Sequence, residues 1–259
     1  MKILLPFCLF FLIACNSTTN TETKKDNSYI TYLKEQIAQY PDSIALRLSF
    51  INALDSLAMY KEALNEMDIL IKQDSLNEDY WYSKAQLNEK AKDTAEAIIN
   101  YKRAIRIYRS ADILLSLANL YAETKNDTAL LICIEIEDTY TDKKYSADCL
   151  FISGVYFARI GNTAKAIELF DHCINTSYSY MVAYLEKGFI FYDKKEYQKA
   201  LEIFQLAAQV NSAYADAYYW QAKCYEAMNN KNNAIAYYEK ALFLDKNLQE
   251  ANDALKRLQ

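Results

Sequence analysis

One pattern recurs along most of this chain at a period of 34 residues. The stretch "NAIAYYEKALFLD" at 233–245 is preceded at that step by "KALEIFQLAAQVN" at 199–211 and "KAIELFDHCINTS" at 165–177. Further upstream the same pattern gives "EAIINYKRAIRIY" at 96–108 and "EALNEMDILIKQD" at 62–74. Each copy is anchored by an alanine: Ala63, Ala97, Ala129, Ala166, Ala200 and Ala234, at intervals of 34, 32, 37, 34 and 34. A repeat of this size is one supersecondary unit. It cannot bury its apolar faces alone, so neighbouring copies must stack and share a core.

A second register runs ahead of the anchors. It places Ile51, Ala85, Gly154, Gly188 and Ala222 twelve residues before them, with Ala118 in the irregular third copy. A bulky residue follows three later: Leu54, Tyr121, Phe157, Phe191 and Tyr225, while Asn88 breaks the series. Apolar spacings of three and four in both registers predict two helices per copy. Small residues at the crossing let the two helices approach, and aromatic residues fill the space between layers. Gly161 falls at the turn, where a left-handed backbone is needed.

This pattern resembles the tetratricopeptide repeat, most clearly in "AYLEKGFIFYDKKEYQKALEIFQLAAQVN" and "AYYWQAKCYEAMNNKNNAIAYYEKALFLD". The resemblance implies an all-α, right-handed superhelical solenoid of about six helix–turn–helix repeats over residues 44–248. Residues 28–43 would form an N-terminal capping helix, with Ser28 as its N-cap, and residues 249–259 a C-terminal capping helix. The proline usual near the end of the second helix is absent from all six copies. Copy three, 111–146, departs furthest, with a shortened turn and Cys133 and Ile136 in place of an aromatic and a small residue.

In the family resembled, the first helices line the inner, concave surface. Phe189 lies two residues from Phe191, about 200° around the helix, so it is expected in that groove. The same registers place Tyr82, Leu115, Phe151, Val155, Leu185, Tyr192 and Tyr219 there. The lining would be apolar toward the C-terminus and more polar in copies one and two, where Asn52 and Gln86 stand in the register of Phe189. Exposed apolar surface of this kind marks an interaction site, so a protein or peptide segment is the expected partner. The alternative is that these rings pack on one another. A clamp for acidic C-termini, known in some relatives, does not fit, because Leu48 and Leu115 stand where it needs lysine.

The N-terminal residues carry a separate signal. Met1 and Lys2 precede an apolar run, Ile3–Ala14, too short to span a bilayer. The run ends in "LIAC" and resembles a bacterial lipoprotein signal peptide, residues 1–14, with Cys15 as the lipidated residue; an ordinary signal peptide with a chance cysteine is the rival reading. Several acyl chains give stable anchoring where one does not. The polar "NSTTNTETKKDN" that follows reads as a flexible tether to residue 27. Asn16, in place of the aspartate that retains lipoproteins in the inner membrane of some lineages, favours the outer membrane, facing the periplasm.

Chemistry-bearing residues are sparse. The net charge of -5 and the lack of a basic run argue against nucleic acid. No cofactor, metal or catalytic motif appears, and His172, the single histidine, has no metal-ligand spacing around it. Cys133, Cys149, Cys173 and Cys224 form no C-x-x-C pair, so their pairing stays open. The expectation is a non-catalytic binding scaffold on a lipid anchor in the cell envelope, or else a self-assembling structural component. The oligomeric state is open.

Overall fold

The computed structural model describes residues 19–141 and 143–259, with side chains from Ser28 onward. The expected signal segment and Cys15 lie outside the described residues. Among these residues there are fourteen helices and no strand. They are α1 (Thr19–Gln39), α2 (Ile44–Ser56), α3 (Tyr60–Gln73), α4 (Glu78–Lys90), α5 (Thr94–Ile107), α6 (Ala111–Glu123) and α7 (Thr128–Thr139). The chain continues with α8 (Ser146–Arg159), α9 (Thr163–Thr176), α10 (Met181–Asp193), α11 (Tyr197–Val210), α12 (Ala215–Ala227), α13 (Lys231–Leu244) and α14 (Gln249–Leu258). Two compact units divide the chain, one to Asn100 and one from Tyr101, the division falling inside α5.

Within each unit the helices stack in chain order, as an all-α repeat solenoid requires. In unit 1, α1 packs on α2, α2 on α3 and α3 on α4; in unit 2, every helix from α6 to α14 packs on the next. All six anchor alanines are fully buried. The crossings explain the small residues. A Cβ on Gly188 would lie 2.3 Å from the Phe204 ring, and one on Gly154 would lie 2.6 Å from the Phe170 ring. In copy six the smaller glycine–phenylalanine contrast relaxes to Ala222 and Tyr238 in one cluster, and in copy one to Ile51 and Met67. The volume given up on the first helix returns on the second, sixteen residues later, which keeps the packing dense.

The turns between paired helices share one geometry. Ala58, Lys92, Lys125, Gly161, Lys195 and Asn229 all have φ between 55° and 86°. At Gly161 the backbone N–H donates to the Ala158 carbonyl, and the Asn162 N–H donates to Phe157. The same pair recurs at Lys195 to Tyr192 and Glu196 to Phe191. These bonds close the first helix in a Schellman arrangement. Asn162 and Asn230 then cap the second helices through their side-chain oxygens.

Three expectations are corrected. First, α1 begins at Thr19, inside the stretch read as a tether, and Ser28 lies within the helix. No glycine or proline stands between Thr19 and Gln39 to stop the helix that Ile30 and Leu33 anchor. Second, Phe191 is only half-buried, like Phe157 and Tyr225, whereas Leu54 and Tyr121 in the same register are buried. These rings sit at the margin of the core: Tyr225 against Tyr237 at 5.1 Å, and Phe191 under the Lys199 ammonium at 5.7 Å. Third, Asn88 keeps the buried register although it is polar; it is 3% exposed and its amide nitrogen has no hydrogen-bond partner.

The four cysteines are buried free thiols. Burial pushes Cys173 and Cys224 up to about 12, so neither is a ready nucleophile. His172 is exposed.

Candidate functional site

Unit 2 carries an open pocket of about 540 Å³ along three successive first helices, α8, α10 and α12. Its floor is Phe189, Tyr192 and Trp220. Arg159, Glu186, Asp193 and Lys194 form the rim. That volume is in the range of small-ligand and side-chain pockets.

The floor is a ring cluster centred on Trp220. Phe189 lies 4.5 Å from it, Tyr192 5.5 Å and Tyr219 5.6 Å between centroids. Phe204, reaching over Gly188, supports it from α11 at 5.9 Å. Sequence reasoning placed Phe189, Tyr192 and Tyr219 on an inner face, and the structure brings these three together. All are half-buried. Each packs on Trp220, as the reading of mutually packed aromatic rings expects, and Phe189 and Tyr192 also line the pocket, whereas Tyr219 does not. Burial pushes the Tyr192 phenol up to about 12, so it remains a hydrogen-bond donor at neutral pH.

Two of the expected groove residues are core residues instead. Val155 is 0% and Leu185 8% exposed. α8 is packed by α6, α7, α9 and α10, so a face turned away from its hairpin partner meets the neighbouring hairpin before it meets water. Leu185 joins Ala200, Leu201, Phe204 and Cys224 in one cluster. Phe151 is half-buried, between Phe170 at 5.9 Å and Tyr180 at 5.2 Å. Leu115 in unit 2 is half-buried, as is Tyr82 in unit 1; neither lines this pocket.

Trp220, Arg159 and Glu186 were missed. Trp220 and Glu186 occupy one register, two residues before the small slot, where the first three copies carry Ser49, Ser83 and Ser116. Reading that register would have found them. Arg159 is five residues past its slot, in register with Glu123 and Asp193. Its guanidinium donates to both oxygens of Glu123, at 2.7 and 3.0 Å, and to both oxygens of Glu186, at 3.0 and 3.1 Å. Those bonds, to Glu123 first and then Glu186, hold its pKa above the ordinary arginine value despite burial. Three first helices, α6, α8 and α10, are thereby tied by one side chain.

The arrangement offers binding surface and fixed charge. Among the described residues no cluster of side chains could hold a metal ion, and no helix is long and apolar enough to cross a membrane.

Residues 50–112 and 215–248 match the family described as tetratricopeptide repeat. These stretches are tetratricopeptide repeats. A solved tetratricopeptide repeat protein from Parabacteroides merdae is similar over 93% of this chain and 94% of its own, at 16% identity and a TM-score of 0.70. Yeast Tom70 is similar over 99% of this chain and 66% of its own, at 14% identity and a TM-score of 0.59. A chain of the APC/C hetero-tetramer Cut9–Hcn1 is similar over 92% of this chain and 46% of its own, at 17% identity and a TM-score of 0.55. At these identities the likeness is one of fold. No curated protein matches the chain.

Proposed function

We propose that this protein is a non-catalytic scaffold that docks a segment of a partner protein in the unit 2 pocket. The observation that carries the reading is the ring floor of Phe189, Tyr192 and Trp220, open to solvent and rimmed by charge. Aromatic anchors in a pocket supply most of the affinity at protein interfaces. The tetratricopeptide repeat supports it, being a stack that presents successive first helices side by side.

A photo-cross-linking residue at Tyr192, compared with one at His172 on the exposed face of α9, tests it in cells. The expected result is a discrete cross-linked species from position 192 and none from 172. Equal or absent labelling at both positions refutes docking in this pocket.

We further propose that the chain is a lipoprotein anchored through Cys15 in the cell envelope, at the outer membrane facing the periplasm. The "LIAC" sequence and the short apolar run before it support this. Cys15→Ala should move the protein from the membrane fraction to the soluble fraction and abolish labelling by a fatty-acid analogue. Retention in the membrane by the variant would overturn the anchor.

A further inference from the structure

The junction between the third and fourth copies differs from the others, and it brings two thiols together. Four residues after their anchor alanines stand Met67, Tyr101, Phe170, Phe204 and Tyr238, each no more than 1% exposed. Copy three places Cys133 there. Thirteen residues beyond Phe170, Phe204 and Tyr238 come Ala183, Ala217 and Ala251 on the next helix, all fully buried. A ring is thus followed by a small residue at each of these junctions. At the irregular junction the step is three residues longer, and Cys149 of α8 takes the alanine position. Two small residues leave free the space that a ring fills elsewhere. An open pocket of about 300 Å³ lies here, lined by both cysteines together with Leu130, Ile134, Leu150 and Phe157. The Cys149 thiol donates to the Cys133 carbonyl at 3.7 Å and contacts the Cys133 thiol.

We propose that Cys133 and Cys149 are an oxidation site, closing to an intramolecular disulfide that ties α7 to α8 when a disulfide oxidant reaches them through this pocket. The Cys133 sulfur gives up its proton and attacks one sulfur of the oxidant, R–S–S–R; the other sulfur leaves and takes up a proton as RSH. The Cys149 sulfur then loses its proton, attacks Cys133 in the mixed disulfide and expels the second RSH. Two protein thiols lose two electrons, and the oxidant's S–S bond is reduced to two thiols. Cys133 attacks first because the Cys149 S–H is engaged as a donor. That contact, and then burial, hold the Cys149 thiol above the ordinary thiol value. Oxidation is therefore slower than at an exposed cysteine of low pKa. Its selectivity comes from the pocket and from the second thiol beside the first, whereas Cys173 and Cys224 are fully buried. The bond constrains the unfolded chain and so stabilises the junction. The inference stands apart from docking in the ring pocket; the envelope location proposed above would supply oxidising surroundings.

The test incubates the folded full chain with oxidised glutathione, blocks the remaining thiols with iodoacetamide and maps the tryptic peptides. Trypsin places Cys133, Cys149 and Cys173 on separate peptides, 126–143, 145–159 and 166–187. The expected product is peptide 126–143 joined to peptide 145–159. It should form about tenfold faster than any bond or adduct at Cys173 or Cys224 and be reversed by dithiothreitol. Cys149→Ser should stop at a glutathione adduct on Cys133, because the second step then lacks its thiol; circular dichroism melts confirm that the variant is folded. Glutathione adducts on the unaltered chain without the joined peptide, or no reaction at either cysteine, overturn the proposal. Joined peptides that include Cys173 or Cys224 as often as this pair would mean oxidation of unfolded chain, and overturn it as well.

Discussion

The two units set the same registers side by side and line them differently. In unit 1, a pocket of about 100 Å³ is bounded by Leu48, Asn52, Asp55, Gln86 and Lys90. Lys90 and Asp55 close on each other at 2.5 Å. In unit 2, the pocket is about 540 Å³ and its floor is aromatic. Asn52 and Gln86 occupy the register that Phe189 occupies, and Ser83 the register of Trp220. The helical frame is therefore indifferent to what lines it. Short polar side chains, with Lys90 drawn onto Asp55, leave little space to fill. Large rings cannot all be buried, and they hold an open floor.

The strongest way to break that contrast is to remove the support beneath the rings. Phe204 is fully buried and contacts Phe189, Trp220 and the Gly188 backbone position. Phe204→Ala should cost about 3–5 kcal/mol and collapse the unit 2 pocket, read by urea unfolding of Trp220 in the Trp81→Phe background. Gly188→Ala approaches the same contact from the other side. Its Cβ meets the ring at 2.3 Å, well inside any tolerated distance, and overpacking of this kind costs about 1–3 kcal/mol. The double variant Gly188→Ala, Phe204→Leu should be less destabilised than the sum of its parts, since volume is then exchanged as it is between Ile51 and Met67. Strict additivity would show that the crossing is not a volume exchange.

A weaker probe compares the two ion networks. Arg159 is 32% exposed and its partner Glu186 17%, while Lys90 is 52% exposed. Arg159→Ala leaves two glutamates facing one another, one of them largely covered, and should cost about 1–2 kcal/mol. Lys90→Ala removes a single pair whose lysine is exposed and whose Asp55 partner is 25% exposed, and should cost about 0.5–1 kcal/mol. Equal losses would mean that the Arg159 network adds nothing beyond an ordinary surface pair.

Much of the frame was legible from the chain alone because it rests on residues whose size is constrained. Ala63 through Ala234 are fully buried, and Gly154 and Gly188 each have a phenylalanine ring pressed against them, so small residues recur and the period is visible. The lining has no such constraint. Val155 and Leu185 look like groove residues when one hairpin is considered, and they become core residues because α8 and α10 are covered by neighbouring hairpins as well as by their own partners. Trp220 escaped notice because the serines at its register in the first three copies make that register look like a solvent face. Helix α1 was underestimated for a related reason: polar residues without glycine or proline carry no stop signal, and an anchored helix continues through them.

The smallest expected effect tests whether the frame is common to both units. Lys92 in unit 1 and Lys195 in unit 2 hold φ of 62° at equivalent turns, where Gly161 holds 86°. A side chain in this left-handed region costs about 1–2 kcal/mol. Glycine gives part of that back through the greater freedom of the unfolded chain. Lys92→Gly and Lys195→Gly should therefore each stabilise their own unit by about 0.5 kcal/mol, and Gly161→Lys should destabilise unit 2 by a similar amount. Urea midpoints read at Trp81 for unit 1 and at Trp220 for unit 2 measure all three. Because the turn bonds are the same in both units while the linings differ, the two lysine variants should agree within error; a gain in one unit alone would mean that the lining reaches back and alters the turn.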